Sequence, residues 1–132
     1  MTAGPIKFIE LDELLRIHRL GMIDQGSDPA IRDLGLLESA LAMPRQQFGG
    51  EYLHSDLPSM AAAYAFHICG NHPFVDGNKR AATAAMVMFL SDNGWEFFAG
   101  VDEAERAIVR LAAGQCSKEE WTSWVRRFVR AR

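Results

Sequence analysis

Two strongly apolar segments, residues 59–68 and 81–90, flank a short polar stretch at residues 72–80. This pattern constrains the fold more than any other feature of the chain. Each segment is apolar around most of its girth, so as a helix it must be buried on nearly all sides, at the centre of the molecule. The start and stop signals agree. Asp56 precedes Leu57 and Pro58, placing a proline in the first turn of the first helix. Gly70 and Asn71 end it. The second helix runs over residues 79–91 and closes at Asn93-Gly94. A polar loop held between two buried helices is a rigid mounting for a binding or catalytic site.

The remaining segments supply the layer around this pair. Ile6 and Phe8 alternate with polar neighbours, as in a very short edge strand. Leu11, Leu14, Leu15 and Met22 fall at helical spacing, with Gly21 near the helix end. Gly26-Ser27-Asp28-Pro29 is a turn. Asp33 caps a helix carrying Leu36, Leu37, Ala40 and Leu41, which Pro44 stops. Phe48, Gly49, Gly50, Glu51 and Tyr52 form a short flap or hairpin. Residues 102–113 are amphipathic. Ser117 and Glu120 form a capping box for a last helix carrying Trp121, Trp124, Val125 and Phe128. The expected architecture is an all-α, compact helical bundle forming a single domain over residues 1–132.

Composition narrows the functional classes. A net charge of -3 means that any binding of polyphosphate depends on local cations. Arg126, Arg127, Arg130 and Arg132 lie near Trp121 and Trp124, but cations suit a helix C-terminus and the tryptophans suit a core face, so no nucleic-acid partner is expected. Cys69 and Cys116 form no metal-ligand spacing and read as reduced thiols. The N-terminus has no basic region followed by an apolar one, and the apolar runs are about half the roughly 20 residues of a membrane span. The expectation is a cytoplasmic protein with no membrane partner.

Residues 72–80 read His-Pro-Phe-Val-Asp-Gly-Asn-Lys-Arg. His72 suits proton transfer near neutral pH, against the plain alternative of a helix-capping residue. Asp76 suits a hard cation such as Mg2+, or a helix N-cap. Gly77, Asn78, Lys79 and Arg80 open the second central helix. Cations at a helix N-terminus oppose the helix dipole, so two of them there call for an anion such as a phosphate. Pro73 stiffens the loop and Phe74 anchors it in the core. His67 reads as a core histidine, and His18 and His54 have no evident partner. A zinc site from His67, His72 and Asp76 matches no common ligand spacing.

The stretch from His72 to Arg80 resembles the signature of the Fic family, most closely its death-on-curing (Doc) branch. Residues 32–40 resemble that branch's early helix, and Leu90 with Asn93-Gly94 also fits. The resemblance implies the Fic helical bundle. It makes His72 the base for a protein hydroxyl, Asp76 the Mg2+ ligand and Gly77, Asn78, Lys79 and Arg80 the anion-binding loop. Phe74 becomes the hydrophobic anchor, and the flap from Phe48 to Tyr52 holds the target in extended form. Lys79 stands where adenylylating members carry a second glycine, and Thr83 where they carry a further arginine. The Doc branch shares that lysine. The implied activity is therefore a toxin-type kinase that moves the terminal phosphate of ATP to a Ser or Thr hydroxyl. Its implied target is translation elongation factor Tu, which makes it an inhibitor of translation, and a separate antitoxin neutralises it. Transfer of AMP by a Fic-type adenylyltransferase is the alternative, and a non-catalytic module with the same fold is the third reading. In this chain no Glu is followed by Gly or Asn, so the inhibitory helix of many Fic proteins is not expected.

Overall fold

A computed structural model describes residues 4–132. The helices are α1 (Leu11–Asp24), α2 (Leu34–Ala42), α3 (Leu57–Asn71), α4 (Asn78–Asp92), α5 (Val101–Ala112) and α6 (Lys118–Arg127), with a 3-10 turn at Met43–Arg45. Two antiparallel ribbons complete the fold. β1 (Gln47–Phe48) pairs with β2 (Glu51–Tyr52), and β3 (Trp95–Phe97) pairs with β4 (Val129–Ala131).

The centre is α3, which packs against α2, α4, α5, α6 and the 3-10 turn. Ala61, Ala62, Ala63 and Ala65 are fully buried on it, and such small side chains admit neighbouring helices closely on several sides. Tyr64 and Ile68 on α3, with Ala85, Phe89 and Leu90 on α4, fill the same core. The expected all-helical bundle around two buried central helices is what forms, with only short strands. Asp33, Asp56 and Ser117 cap α2, α3 and α6 as expected, each accepting the backbone N–H three residues on. The flap closes through Gly49 (φ 60) and Gly50 (φ 83), the paired positive-φ positions that a tight two-residue hairpin requires.

Three local expectations are corrected. Ile6 to Phe8 forms no strand, because its partner is a side chain. Asn93 Oδ1 accepts the Lys7 N–H and Asn93 Nδ2 donates to the Lys7 carbonyl, both at 2.9 Å. The last helix stops at Arg127, and the chain then turns into β4 against β3, across a gap of more than 30 residues. Asn71 belongs to α3, whose C-cap is His72.

Asp56 both caps α3 and takes a two-pronged contact from Arg126 of α6, at 2.7 and 3.1 Å. Burial opposes its ionisation, but hydrogen bonds from Arg126 and Ser59 outweigh that and hold its carboxyl at about 2. A depressed folded-state value stabilises the protein above the ordinary carboxylate value of 3.8 and loses that stabilisation as pH falls towards about 2. Arg126→Ala is therefore expected to melt below the wild type near neutral pH, by about 0.2–1 kcal/mol for a partly exposed pair. The two melting curves should converge in strong acid. Parallel Tm profiles across the acid range would show that the ion pair does not set this dependence.

Candidate functional site

The loop between α3 and α4 begins with a strained residue. His72 donates its N–H to the Ile68 carbonyl, capping α3, and sits at φ 49, ψ 55. Among the described residues it is the only non-glycine with positive φ. Such a conformation costs about 1–3 kcal/mol and persists where surrounding contacts over-determine it. Those contacts come from residues 30–33. Arg32 donates through Nε to the His72 carbonyl at 2.7 Å and through a terminal nitrogen to the Asn71 carbonyl at 2.9 Å. The Arg32 and Asp33 N–H groups both donate to the Pro73 carbonyl, at 2.7 and 3.0 Å. Val75 N–H donates to the Ala30 carbonyl, and Ile31 forms an isolated antiparallel bridge with Phe74.

Below the loop, Phe74 is fully buried and stacks on the His18 ring at 3.6 Å between centroids. His18, itself buried on α1, places Nε2 2.8 Å from the Asp76 carbonyl. A carbonyl only accepts, so Nε2 carries the proton. Asn78 closes the loop from within: its Oδ1 accepts the Phe74 N–H at 2.9 Å and its Nδ2 donates to the Phe74 carbonyl at 3.0 Å. Gly77 (φ 79) is the N-cap of α4, where Asp76 had been one candidate. A side chain there would be strained by φ alone, and its Cβ would lie 2.4 Å from Met22 Sδ.

The loop presents its chemistry outward. His72, Asp76, Lys79 and Arg80 are exposed, while Pro73, Phe74 and Asn78 are buried beneath them. Asp76 Oδ1 accepts the Gly77 N–H at 2.8 Å. Neither Lys79 nor Arg80 pairs with a carboxylate among the described residues. The first backbone bond back into α4 is Ala81 N–H to the Gly77 carbonyl, so the N–H groups of Asn78, Lys79 and Arg80 head the helix without a side-chain cap. Unopposed cations and free N–H groups at one helix end make an anion-binding arrangement. The donor set also fits Mg2+. One exposed carboxylate is enough where phosphate oxygens complete the shell. Among the described residues no three His, Cys, Asp or Glu side chains gather as a protein-only metal cage, so the zinc arrangement of His67, His72 and Asp76 is not formed.

The residues from His72 to Arg80 thus occupy one loop and one helix end, with the Asn78 side chain turned inward and only its backbone facing the anion site. The flap stands apart. Phe48 is 86% exposed, Tyr52 packs on Phe8, and no hydrogen bond joins residues 48–52 to the loop among the described residues. Sequence reading missed Ala30, Arg32, His18 and Met22 as supports of the loop. Only the loop's need for buried partners signalled them. Of the C-terminal arginines, Arg126 holds Asp56, Arg130 holds Glu96 and Arg132 holds Ser91. His67 lies 3.0 Å from Lys118 Nζ. Partial burial and that cation hold its imidazole down at about 4, so it is neutral near pH 7, but it is half-buried at the edge of the core and not the enclosed core histidine expected. Both cysteines are free, and burial pushes the Cys69 thiol up to about 11.

Known proteins share this arrangement of sequence. The chain is 39% identical over 98 residues to a protein named Toxin Doc of Mycolicibacterium smegmatis, covering 73% of this chain and 75% of that one. It is 27% identical over 122 residues to a protein named Protein kinase doc of Escherichia phage P1, covering 92% and 95%. The family model described as Fic/DOC family matches residues 8–90, which hold α1 to α3, the flap, the whole loop and all but the last two residues of α4. The chain belongs to the Fic/DOC family.

Proposed function

We propose that this protein is a toxin of the Doc type that moves the terminal phosphate of ATP to a Ser or Thr hydroxyl of a target protein. The observation that carries the proposal is the convergence, on one exposed loop, of an imidazole, a carboxylate and an uncapped helix N-terminus bearing two unpaired cations. The names of the two relatives, a toxin and a protein kinase, support the same reading.

In this mechanism the helix-end N–H groups of Asn78, Lys79 and Arg80, with the Lys79 and Arg80 side chains, bind and orient the phosphates of ATP. Asp76 would hold Mg2+, which supplies charge neutralisation when bound. His72 accepts the proton of the target hydroxyl as its oxygen forms a bond to the terminal phosphorus. The bond from that phosphorus to the bridging oxygen breaks, and ADP leaves with the electron pair. Phosphoryl transfer asks little covalent work of a protein beyond such positioning. The flap at Phe48, Gly49, Gly50, Glu51 and Tyr52 is the candidate cradle for the target segment. Translation elongation factor Tu is the proposed target and a separate antitoxin the proposed restraint, both resting on the family likeness.

ATP labelled on either the alpha or the gamma phosphate, incubated with protein, Mg2+ and elongation factor Tu, tests the reaction. Label from the gamma position alone on the target is the expected result. Transfer of alpha label would instead make the protein an adenylyltransferase.

A further inference from the structure

Arg32 brackets His72. Its backbone N–H donates to the carbonyl of residue 73, and its guanidinium donates to the carbonyls of residues 71 and 72, at 2.9 and 2.7 Å respectively. The residue so enclosed is the one non-glycine in the left-handed region among the described residues. We propose that Arg32 is the positioning residue of the His72 imidazole: its guanidinium fork pins residue 72 in the left-handed conformation that presents the ring as a base. The inference rests on the reading of His72 as the proton acceptor.

A plain C-cap would need only the last carbonyls of the helix. Here the shorter bond goes to the carbonyl of the strained residue itself, and the planar guanidinium reaches two carbonyls at once, which an ammonium on a flexible stem does not do with fixed geometry. The side chain is exposed, so the carbonyls can hydrate when it is removed. The backbone bonds from Arg32 and Asp33 to Pro73 and from Val75 to Ala30, and the bond from the Asn71 side-chain amide to the Leu36 carbonyl, do not involve the guanidinium. Arg32→Ala therefore keeps the loop docked and releases only the fork. Residue 72 then relaxes towards ordinary backbone angles and carries its ring off the line of proton transfer.

The test joins two measurements on Arg32→Ala and Arg32→Lys. In the transfer assay, Arg32→Ala should lose about 10–100-fold in kcat, as expected for a misplaced reacting group, with an unchanged KM for ATP. Added guanidinium ion should restore part of the loss, and Arg32→Lys should fall between. Independently of activity, the one-bond Cα-to-Hα coupling of His72, which is lowered at positive φ, should report left-handed backbone in the wild type and its loss in Arg32→Ala. An unchanged coupling, an unchanged kcat, or a kcat loss that follows the fall in Tm and ignores guanidinium overturns the proposal. A wild type without transfer activity overturns the phosphotransferase reading instead, and the coupling measurement then still decides whether Arg32 sets the His72 conformation.

Discussion

Replacing His72 with alanine is expected to reduce phosphate transfer by about 10²–10⁴-fold, the usual contribution of a positioned general base. Growth arrest on expression should be lost with it. The side chain is exposed and makes no hydrogen bond of its own among the described residues, so the fold does not depend on the ring. The backbone is the complication, because alanine fits the left-handed region poorly. His72→Asn resolves it. Asparagine is among the few non-glycine residues that visit this region readily, so the variant keeps the backbone and removes only the base. Both variants should be inactive while binding ATP as the wild type does, since the phosphate contacts lie beyond Gly77. Full toxicity in His72→Asn would mean that the protein acts through binding alone, as a non-catalytic module would.

The largest effect on stability is expected at Phe74. Its ring is wholly enclosed and stacked on His18, and its backbone N–H and carbonyl are both held by Asn78. Phe74→Ala leaves a cavity that the braced backbone cannot collapse into, at a cost of about 3–5 kcal/mol. For a domain of this size that corresponds to a fall in Tm of about 10–20 °C. His18 loses its stacking partner at the same time, so the hydrogen bond that fixes the Asp76 carbonyl loosens, and the Mg2+ dependence of transfer should shift to higher concentration. Phe74→Leu, which refills much of the space, should recover most of the Tm. A loss in Phe74→Ala below about 1 kcal/mol, the level of an ordinary surface change, would show that the loop is not anchored through this ring.

The two central helices, the caps at Asp33, Asp56 and Ser117 and the Gly49-Gly50 turn were legible because each depends on residues close in sequence. Apolar periodicity reports burial, and a cap or turn residue reports its own backbone. The composition of the loop was legible for the same reason, with base, carboxylate and cations lying within nine consecutive positions. Sequence places Asn78 in the anion-binding loop, yet the structure uses its side chain to close the loop on Phe74. An amide serves either purpose, and only the direction in which it points distinguishes them.

The supports of the loop were hidden because they come from far along the chain. Arg32 and His18 lie 40 and 58 residues from the carbonyls they hold. An arginine after a turn and a histidine on an amphipathic helix have no local pattern that announces such partners. The same holds for β3 and β4, whose pairing closes the two ends of the second half of the chain. The sequence by itself determined a bundle built on two buried helices and the chemical groups carried between them, because burial and turn formation are properties of short segments. Tertiary structure alone decided the left-handed state of His72, the inward turn of Asn78 and the grip of Arg32 and His18 on the loop, because these depend on where distant backbone carbonyls come to rest.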